Sequence, residues 1–518
     1  MKALRRCTAG IALLAVAATL SPHPARAQAS TYELLQTFSD LLNQIRVNYV
    51  DSVTTQHLVR GAIEGMLNSL DPHSYYLPHE RAARLQAWDE GKLGTTGILV
   101  ETVEGATTVA AVLAGSPAER AHVSPGDRIV AVNDTAVAGL GAKEVQSRLV
   151  GERGSKVRLT LERGPRQEPD SVSVTLRNEN LQAHSVTRER TLAGGIGYVQ
   201  LGEFGANAGR ELRDAIDRVA SGPDARRVIL DLRGNPGGLI SAAFDVLSLF
   251  LDKGQMAFRT IGRHPDANSA YPITRDGRYH DARLVVLIDG SSASASEAVA
   301  GSLQDHDRAV LMGRRSFGKA LVQTSFLVQP SLDVVMLTIA HVVTPSGRII
   351  QRSYSGLSVG QYETFAGKSG APADTATAYR TDGGRLVRGG GGIVPDSELP
   401  APASVPVWFL AAADSGFDDA VSDSVAQAMP RDSAARAAWV GEPSQWPARL
   451  LLPLRQRVQT RLHVPALADS ARDVRIARAM AARVAGEKWG EAARVDLLVA
   501  SDPDIAAAVS VLSRPAGR

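Results

Sequence analysis

One cysteine occurs in 518 residues, Cys7, and it falls inside an N-terminal leader. The rest of the chain has no thiol, which excludes disulfides, thiol catalysis and Cys-ligated zinc from it. An excess of one charge is missing too. Lys plus Arg number 57 and Asp plus Glu 54, for a formal charge of +3. Lys2, Arg5, Arg6 and Arg26 all lie in the leader, so the remainder carries about −1 and offers no case for a nucleic-acid surface. Beyond the leader no run reaches the ~18 apolar residues of a membrane span. No H-E-x-x-H, no paired His/Asp metal spacing and no G-x-x-x-x-G-K-[ST] occurs, so metal and nucleotide chemistry have no support and no cofactor is expected. No G-x-S-x-G elbow surrounds the serines discussed below, which excludes an esterase-type Ser-His-Asp triad. The apolar fraction of 44 % and charged fraction of 21 % exclude a disordered or collagen-like chain. The length points to about three domains.

What is present begins with that leader. Lys2, Arg5 and Arg6 form a charged start, Thr8 to Leu20 is a short apolar run, and Ala25-Arg26-Ala27 ends it in a small-x-small pattern. Residues 1–27 therefore read as a cleaved secretory signal peptide, and the mature protein is expected to be exported, to a periplasm.

Residues 30–90 read as a helical region. Leu34, Leu35, Phe38, Leu41, Leu42 and Ile45 recur at helical spacing, and a second run, Leu58 to Leu70, stops at Asp71-Pro72. Residues 94–178 are β-rich, with runs at Ile98–Val103, Val109–Val112, Arg128–Val132, Lys156–Glu162 and Ser171–Leu176, and one helical run, Ala142 to Leu149. Residues 190–400 read as an α/β core and its following loops. Val228–Leu232 and Leu284–Ile288 are nearly pure apolar runs, the mark of strands buried on both faces. Each leads through a turn into a helical run, which predicts a mostly parallel sheet. Residues 401–518 are rich in Ala and Arg and helical by pattern, and no role is legible in them.

Three segments of the core carry chemistry. Ser291-Ser-Ala-Ser-Ala-Ser296-Glu297 lies between a buried strand and a helix, where unpaired N–H groups at the helix start can meet an oxyanion. Ser316-Phe-Gly-Lys319, with Gln323 after it, offers a lysine that could serve as a base once desolvation lowers its pKa. Arg233-Gly-Asn-Pro-Gly-Gly238 exposes glycine N–H groups after the other buried strand. Each has a plainer reading alone: a cluster of helix caps, a solvated lysine, a strand-to-helix turn. His306, within Gln304-Asp-His-Asp307, reads as a helix-end residue.

Together and in this order, the segments resemble the carboxy-terminal processing (tail-specific) serine proteases. The resemblance also takes in Thr344–Ile350, Gly392–Asp396, Asn48–Asp51 and Leu70–Ser74, and covers about residues 32–400. The β-rich region resembles the PDZ domain of that family at Gly115–Ala121 and Pro125–Asn133. The resemblance implies a multi-domain α/β chain: a helical N-terminal region, a PDZ domain, a crotonase-like α/β protease core and a helical C-terminal appendage. It implies Ser294 as nucleophile, Lys319 as general base, Gln323 orienting that lysine, and backbone N–H groups of Gly237 and Ala295 as the oxyanion hole. It implies that the PDZ domain takes a substrate's apolar C-terminal tail as an added strand, at a loop running from Gly94 through Gly97 and Ile98, with Leu99 starting the strand. The implied activity is a serine endopeptidase cutting tails through an acyl-enzyme. A non-catalytic tail-binding scaffold is the alternative. The helical ends leave room for a homo-oligomer or an adaptor. Three positions depart from the family pattern: Leu99 and His122 stand where glycine is usual, and Ala320 where it is common.

Overall fold

The structure is a computed structural model describing residues 30–89, 92–103, 105–113, 116–124, 126–163, 170–181, 184–220, 226–355, 357, 361–362 and 377–514. The leader with Cys7, and Gly115 and Pro125 of the PDZ-like stretches, lie outside the described residues. Two compact units divide at Leu70/Asp71. The first holds the helices Thr31–Asn48 and Thr55–Asn68. Ser30 caps the first of them in a reciprocal contact with Glu33, and the second ends before Asp71-Pro72, where the sequence predicted. No described helix is long and apolar enough to cross a membrane.

The second unit contains the rest. Its β-rich region is a sheet in the order Ile98–Val103, Ala106–Val112, Arg128–Val132, Lys156–Arg163, Asp170–Arg177, with the helix Ala142–Arg148 against the first strand. Alternate strand residues (Val157, Leu159, Leu161) enter its core beside Ile98, Val145 and Leu149, the period of two that a half-buried sheet requires. His122 takes φ +56°, so this histidine does occupy a glycine-like conformation.

The α/β core is a six-stranded sheet, Val186–Leu192, Ile196–Leu201, Arg227–Asp231, Arg283–Ile288, Val310–Gly313, Ser397–Glu398. The first pair is antiparallel and the other pairings are parallel. Val228, Leu230, Leu284, Val286 and Ile288 face one layer, packed by Ala208–Val219, Ile240–Leu247 and Ala295–Asp305. Ile229, Val285 and Leu287 face the other layer, where they meet Val495, Val499, Ile505, Ala508 and Leu512. The C-terminal extension is thus helical, as expected, and its last two helices, Glu491–Ala500 and Pro503–Ser513, supply the second face that the pure apolar strands demanded. Its remaining helices, with Ala493 and Leu497 of Glu491–Ala500, form a further core around Trp408, Trp439, Leu454 and Met480.

A second sheet is organised by the long strand Asp333–Val343, which pairs with Tyr75–Leu77, Met256–Gly262 and Leu321–Val328. This strand brings the chain just after Asp71-Pro72 beside the chain just after Lys319. Next to it, Arg348 and Asp305 are both 1 % exposed and pair at 2.7 Å, with Gln304 Oε1 accepting a further Arg348 N–H at 2.8 Å. Truncating one partner of such a pair leaves an uncompensated buried charge. Arg348→Ala is therefore expected to cost about 3–5 kcal/mol. Urea unfolding of the full chain checks this; a loss under ~1 kcal/mol would contradict the pairing.

Candidate active site

Ser294 sits where the strand Arg283–Ile288 turns into the helix Ala295–Asp305, as the sequence predicts. It takes φ +56°, ψ −115°, a backbone state that a non-glycine residue holds only when its surroundings impose it. The neighbouring serines do that work. Ser292 Oγ donates to Leu232 O at 2.8 Å and accepts the Asp289 N–H at 2.9 Å. Ser296 Oγ donates to Asn235 O at 3.0 Å, and that carbonyl also accepts the Ala293 N–H at 3.0 Å. Two serines of the cluster are thus structural, and they lace the Ser294 turn to the Arg233–Gly238 turn. Ala295 N–H, at the first position of the helix, has no partner among the described residues.

The glycine turn packs against this point. Gly237 has φ +102°, and a Cβ there would lie 2.8 Å from Ser294 Cβ and 2.9 Å from Ala295 N. Only glycine fits. Its N–H, which the sequence suggested as an oxyanion donor, donates to Asn235 Oδ1 at 2.9 Å, while Asn235 Nδ2 donates to Leu201 O at 2.7 Å. The next N–H, that of Gly238, has no partner among the described residues.

Glu297 joins the Ser294 turn to the lysine segment. Its fully buried carboxylate accepts the Ser294 N–H at 3.0 Å and the Lys319 N–H at 2.7 Å on one oxygen. The other oxygen accepts the Gly318 N–H at 2.6 Å and the Ser316 hydroxyl. Burial pushes this carboxyl up to about 7, against the pull of its donors. Sequence reading quoted Glu297 as part of the motif and gave it no role. The Ser-x-x-Glu spacing of a capping box was the available signal.

Lys319 is half-buried. Burial lowers its pKa from the ordinary lysine value, opposed by Asp71 and Glu297. Its Nζ donates to Gln323 Oε1 at 3.4 Å, and Gln323 Nε2 donates to the His73 carbonyl. That carbonyl is fixed by Asp71, which accepts the N–H groups of His73 and Ser74 at 2.8 Å each and the Ser74 hydroxyl at 2.7 Å. Burial, then the neighbouring Lys319, lower His73 to about 4, so its ring is neutral around the site near pH 7. His73 Nε2 lies 3.3 Å from the Tyr362 hydroxyl, and Arg352 stacks between Phe317 and Tyr362 at 3.9 and 4.0 Å from their ring centroids. The resemblance takes in Leu70–Ser74 without giving it a role; the contact of His73 with Gln323 spans 250 positions and leaves no local trace. No hydrogen bond joins Lys319 Nζ to Ser294 Oγ in this state. His306 caps the end of the helix Ala295–Asp305, its ring nitrogens engaged by Asp382 at 2.7 Å and Met256 O at 2.8 Å.

In the PDZ domain, Gly97 has φ +85°, and a Cβ there would overlap the Ser116 side chain at 2.1 Å. Ile98 is buried in the domain core, and the strand begins at Ile98 rather than Leu99. Leu99 is 46 % exposed. A residue that sequence reading missed occupies the strand's open edge. Gln146, on the helix Ala142–Arg148, accepts the Val100 N–H at 3.0 Å and donates to the Ile98 carbonyl at 2.9 Å.

The chain matches models of three known families. The model of peptidase family S41 matches residues 195–358, a PDZ domain model matches 108–163, and the model of the activating protease CtpB N-terminal domain matches 15–81. The carboxy-terminal-processing protease of Bartonella bacilliformis is 34 % identical over 325 residues, covering 62 % of this chain and 74 % of that protein. The carboxy-terminal processing protease CtpA of Bacillus subtilis is 32 % identical over 310 residues, covering 60 % of this chain and 65 % of that protein. Among solved structures, the photosystem II D1 C-terminal processing protease aligns with a TM-score of 0.37 at 24 % identity, covering 72 % of this chain and 94 % of that one. This chain belongs to peptidase family S41, among the carboxy-terminal processing proteases with a PDZ domain.

Glu297→Gln places an NH2 group where two donors converge, and a buried donor facing a donor is left unpaired. Its expected effect is a fall in kcat of about 100-fold, near 2.7 kcal/mol of barrier, with tail-peptide affinity unchanged. Steady-state kinetics beside a binding titration check it; a kcat within twofold of wild type would show that the tie is dispensable.

Proposed function

We propose that this chain is an exported serine endopeptidase that takes protein C-terminal tails on its PDZ domain and cleaves them with Ser294 and Lys319. The observation that carries this reading is the shared Glu297 oxygen, which fixes the backbones of both residues to one point. Neutral Lys319 removes the proton of Ser294 Oγ as that oxygen attacks a peptide carbonyl. The oxyanion forms against the Ala295 N–H and the Gly237–Gly238 turn. Lys319 then passes the proton to the leaving amine, which departs as the C–N bond breaks. Water, losing its proton to Lys319, attacks the acyl carbon; as the ester C–Oγ bond breaks, Lys319 returns that proton to Ser294 Oγ and is neutral again. Gln323 holds the lysine on the His73 carbonyl.

Lys319 is not hydrogen-bonded to Ser294, and the Gly237 N–H is turned to Asn235. Both features support a site that closes only when a tail is bound. The leader supports export to a periplasm. Gln146 covers backbone groups that an added strand would use, so an entering tail displaces it.

The test compares wild type, Ser294→Ala and Lys319→Ala on an unfolded protein ending in small apolar residues. Only the wild type is expected to cut, and amidating the substrate's terminus weakens cutting. Activity rises with pH through the pKa of Lys319, below the ordinary lysine value, because the base acts only when neutral. Equal cutting by all three proteins would refute the assignment; binding without cutting by wild type would make the chain a tail-binding scaffold. Gln146→Ala removes the competitor on the groove, so Kd for a tail peptide is expected to fall about fivefold, the worth of one net hydrogen bond. Weaker binding, read by fluorescence anisotropy, would mean that Gln146 contacts the ligand instead.

A further inference from the structure

The last helix, Pro503–Ser513, enters the catalytic region as well as the sheet. Asp502 caps it, accepting the Asp504 N–H at 2.9 Å and the Ile505 N–H at 3.3 Å, which sets both carboxylates at its start. Arg233, the first residue of the glycine turn, reaches Asp504 at 2.8 Å and Asp502 at 3.2 Å. The other arm of its guanidinium meets Asp231, at the end of the strand Arg227–Asp231, at 2.7 Å. Asp231 also accepts the Arg233 backbone N–H at 3.0 Å, so chain and side chain are held together. Arg314, which leads into Ser316-Phe-Gly-Lys319, pairs with the same Asp504, a second N–H reaching it at 3.1 Å. Arg478 of the extension completes the cluster on Asp502 at 2.9 Å.

Three carboxylates and three guanidinium groups therefore balance. Asp502, Asp504 and Arg233 are 10, 8 and 16 % exposed, so solvent screens their attraction little. One carboxylate, Asp504, holds the roots of two separate segments: the turn beside Ala295 N–H and the segment that carries the base. The apolar contacts of Ile505, Ala508 and Leu512 with the sheet make the helix start a rigid anchor for both.

We propose that Asp502 and Asp504 are positioning residues of the active site. They act through Arg233 and Arg314 to set the glycine turn and the Lys319 segment relative to Ser294. The proposal rests on the protease reading above. It also gives the C-terminal extension a role in turnover, although the extension lies outside the residues matched by the S41 family model.

The test uses the full chain. Asp504→Asn keeps the shape and removes the charge, and Asp502→Asn keeps the helix cap, since Asn caps as well as Asp. Asp473→Asn, which breaks the Arg455 ion pair within the same extension, is the stability control. Asp504→Asn is expected to lower kcat about tenfold, with KM for a short unanchored peptide within twofold, whereas Asp473→Asn leaves kcat unchanged. Amide hydrogen exchange is followed in the same proteins. It should quicken at 233–238 and 314–319 in both Asp502→Asn and Asp504→Asn and stay constant at 98–103. Unchanged kcat and exchange in Asp504→Asn, or equal losses in Asp504→Asn and Asp473→Asn, would overturn the proposal. If the wild type cuts nothing, the protease reading falls by itself, and the exchange pattern still decides whether the clamp holds the two segments.

Discussion

A buried carboxylate is the constraint on which the site depends. Glu297 has no solvent to satisfy it, so its oxygens must find donors in the protein. The donors it finds belong to the segments that have to meet: the N–H groups of Ser294, Gly318 and Lys319 and the hydroxyl of Ser316. The desolvation cost of one acid is offset by closing the Ser294 turn onto the lysine segment. The positive φ of Ser294 is tolerated for the same reason, since both of its flanks are held.

The electrostatics follow from burial more than from charge pairing. Lys319 is shifted down by desolvation, although Asp71 and Glu297 pull the other way. His73 is kept neutral near pH 7 by burial and by the lysine beside it. Asp71 serves chiefly as a turn anchor, accepting three local donors and presenting the His73 carbonyl to Gln323. On the far side of the same core, the acidic start of the last helix grips Arg233 and Arg314. The backbone of the proposed site is thereby held by carboxylates from two directions.

Much of this was legible in the sequence where the signal is local. Val228–Leu232 and Leu284–Ile288 announced strands buried on both faces, and the structure differs at their ends by a residue. Ser291–Glu297 announced a turn at a helix start. What the sequence could not reveal is long-range. Nothing near Arg233 points to Asp502 and Asp504, and nothing near Val100 points to Gln146. The strand Met256–Gly262 was also missed, because its buried Thr260 and exposed Ile261 invert the expected apolar-in, polar-out alternation. The C-terminal residues read as an appendage because Ala-rich helices carry little hydrophobic contrast; the helix beginning at Pro503 proves to be a layer of the core.

The most direct test of the account is to trap the acyl-enzyme. The chain is mixed with an activated peptide ester, quenched, digested and mapped by mass spectrometry over a range of pH. The account predicts one acyl group per chain, on Ser294. In Lys319→Ala that group is absent near neutral pH and returns only as pH is raised. An acyl group on another residue, or equal acylation of Lys319→Ala at every pH, would contradict it.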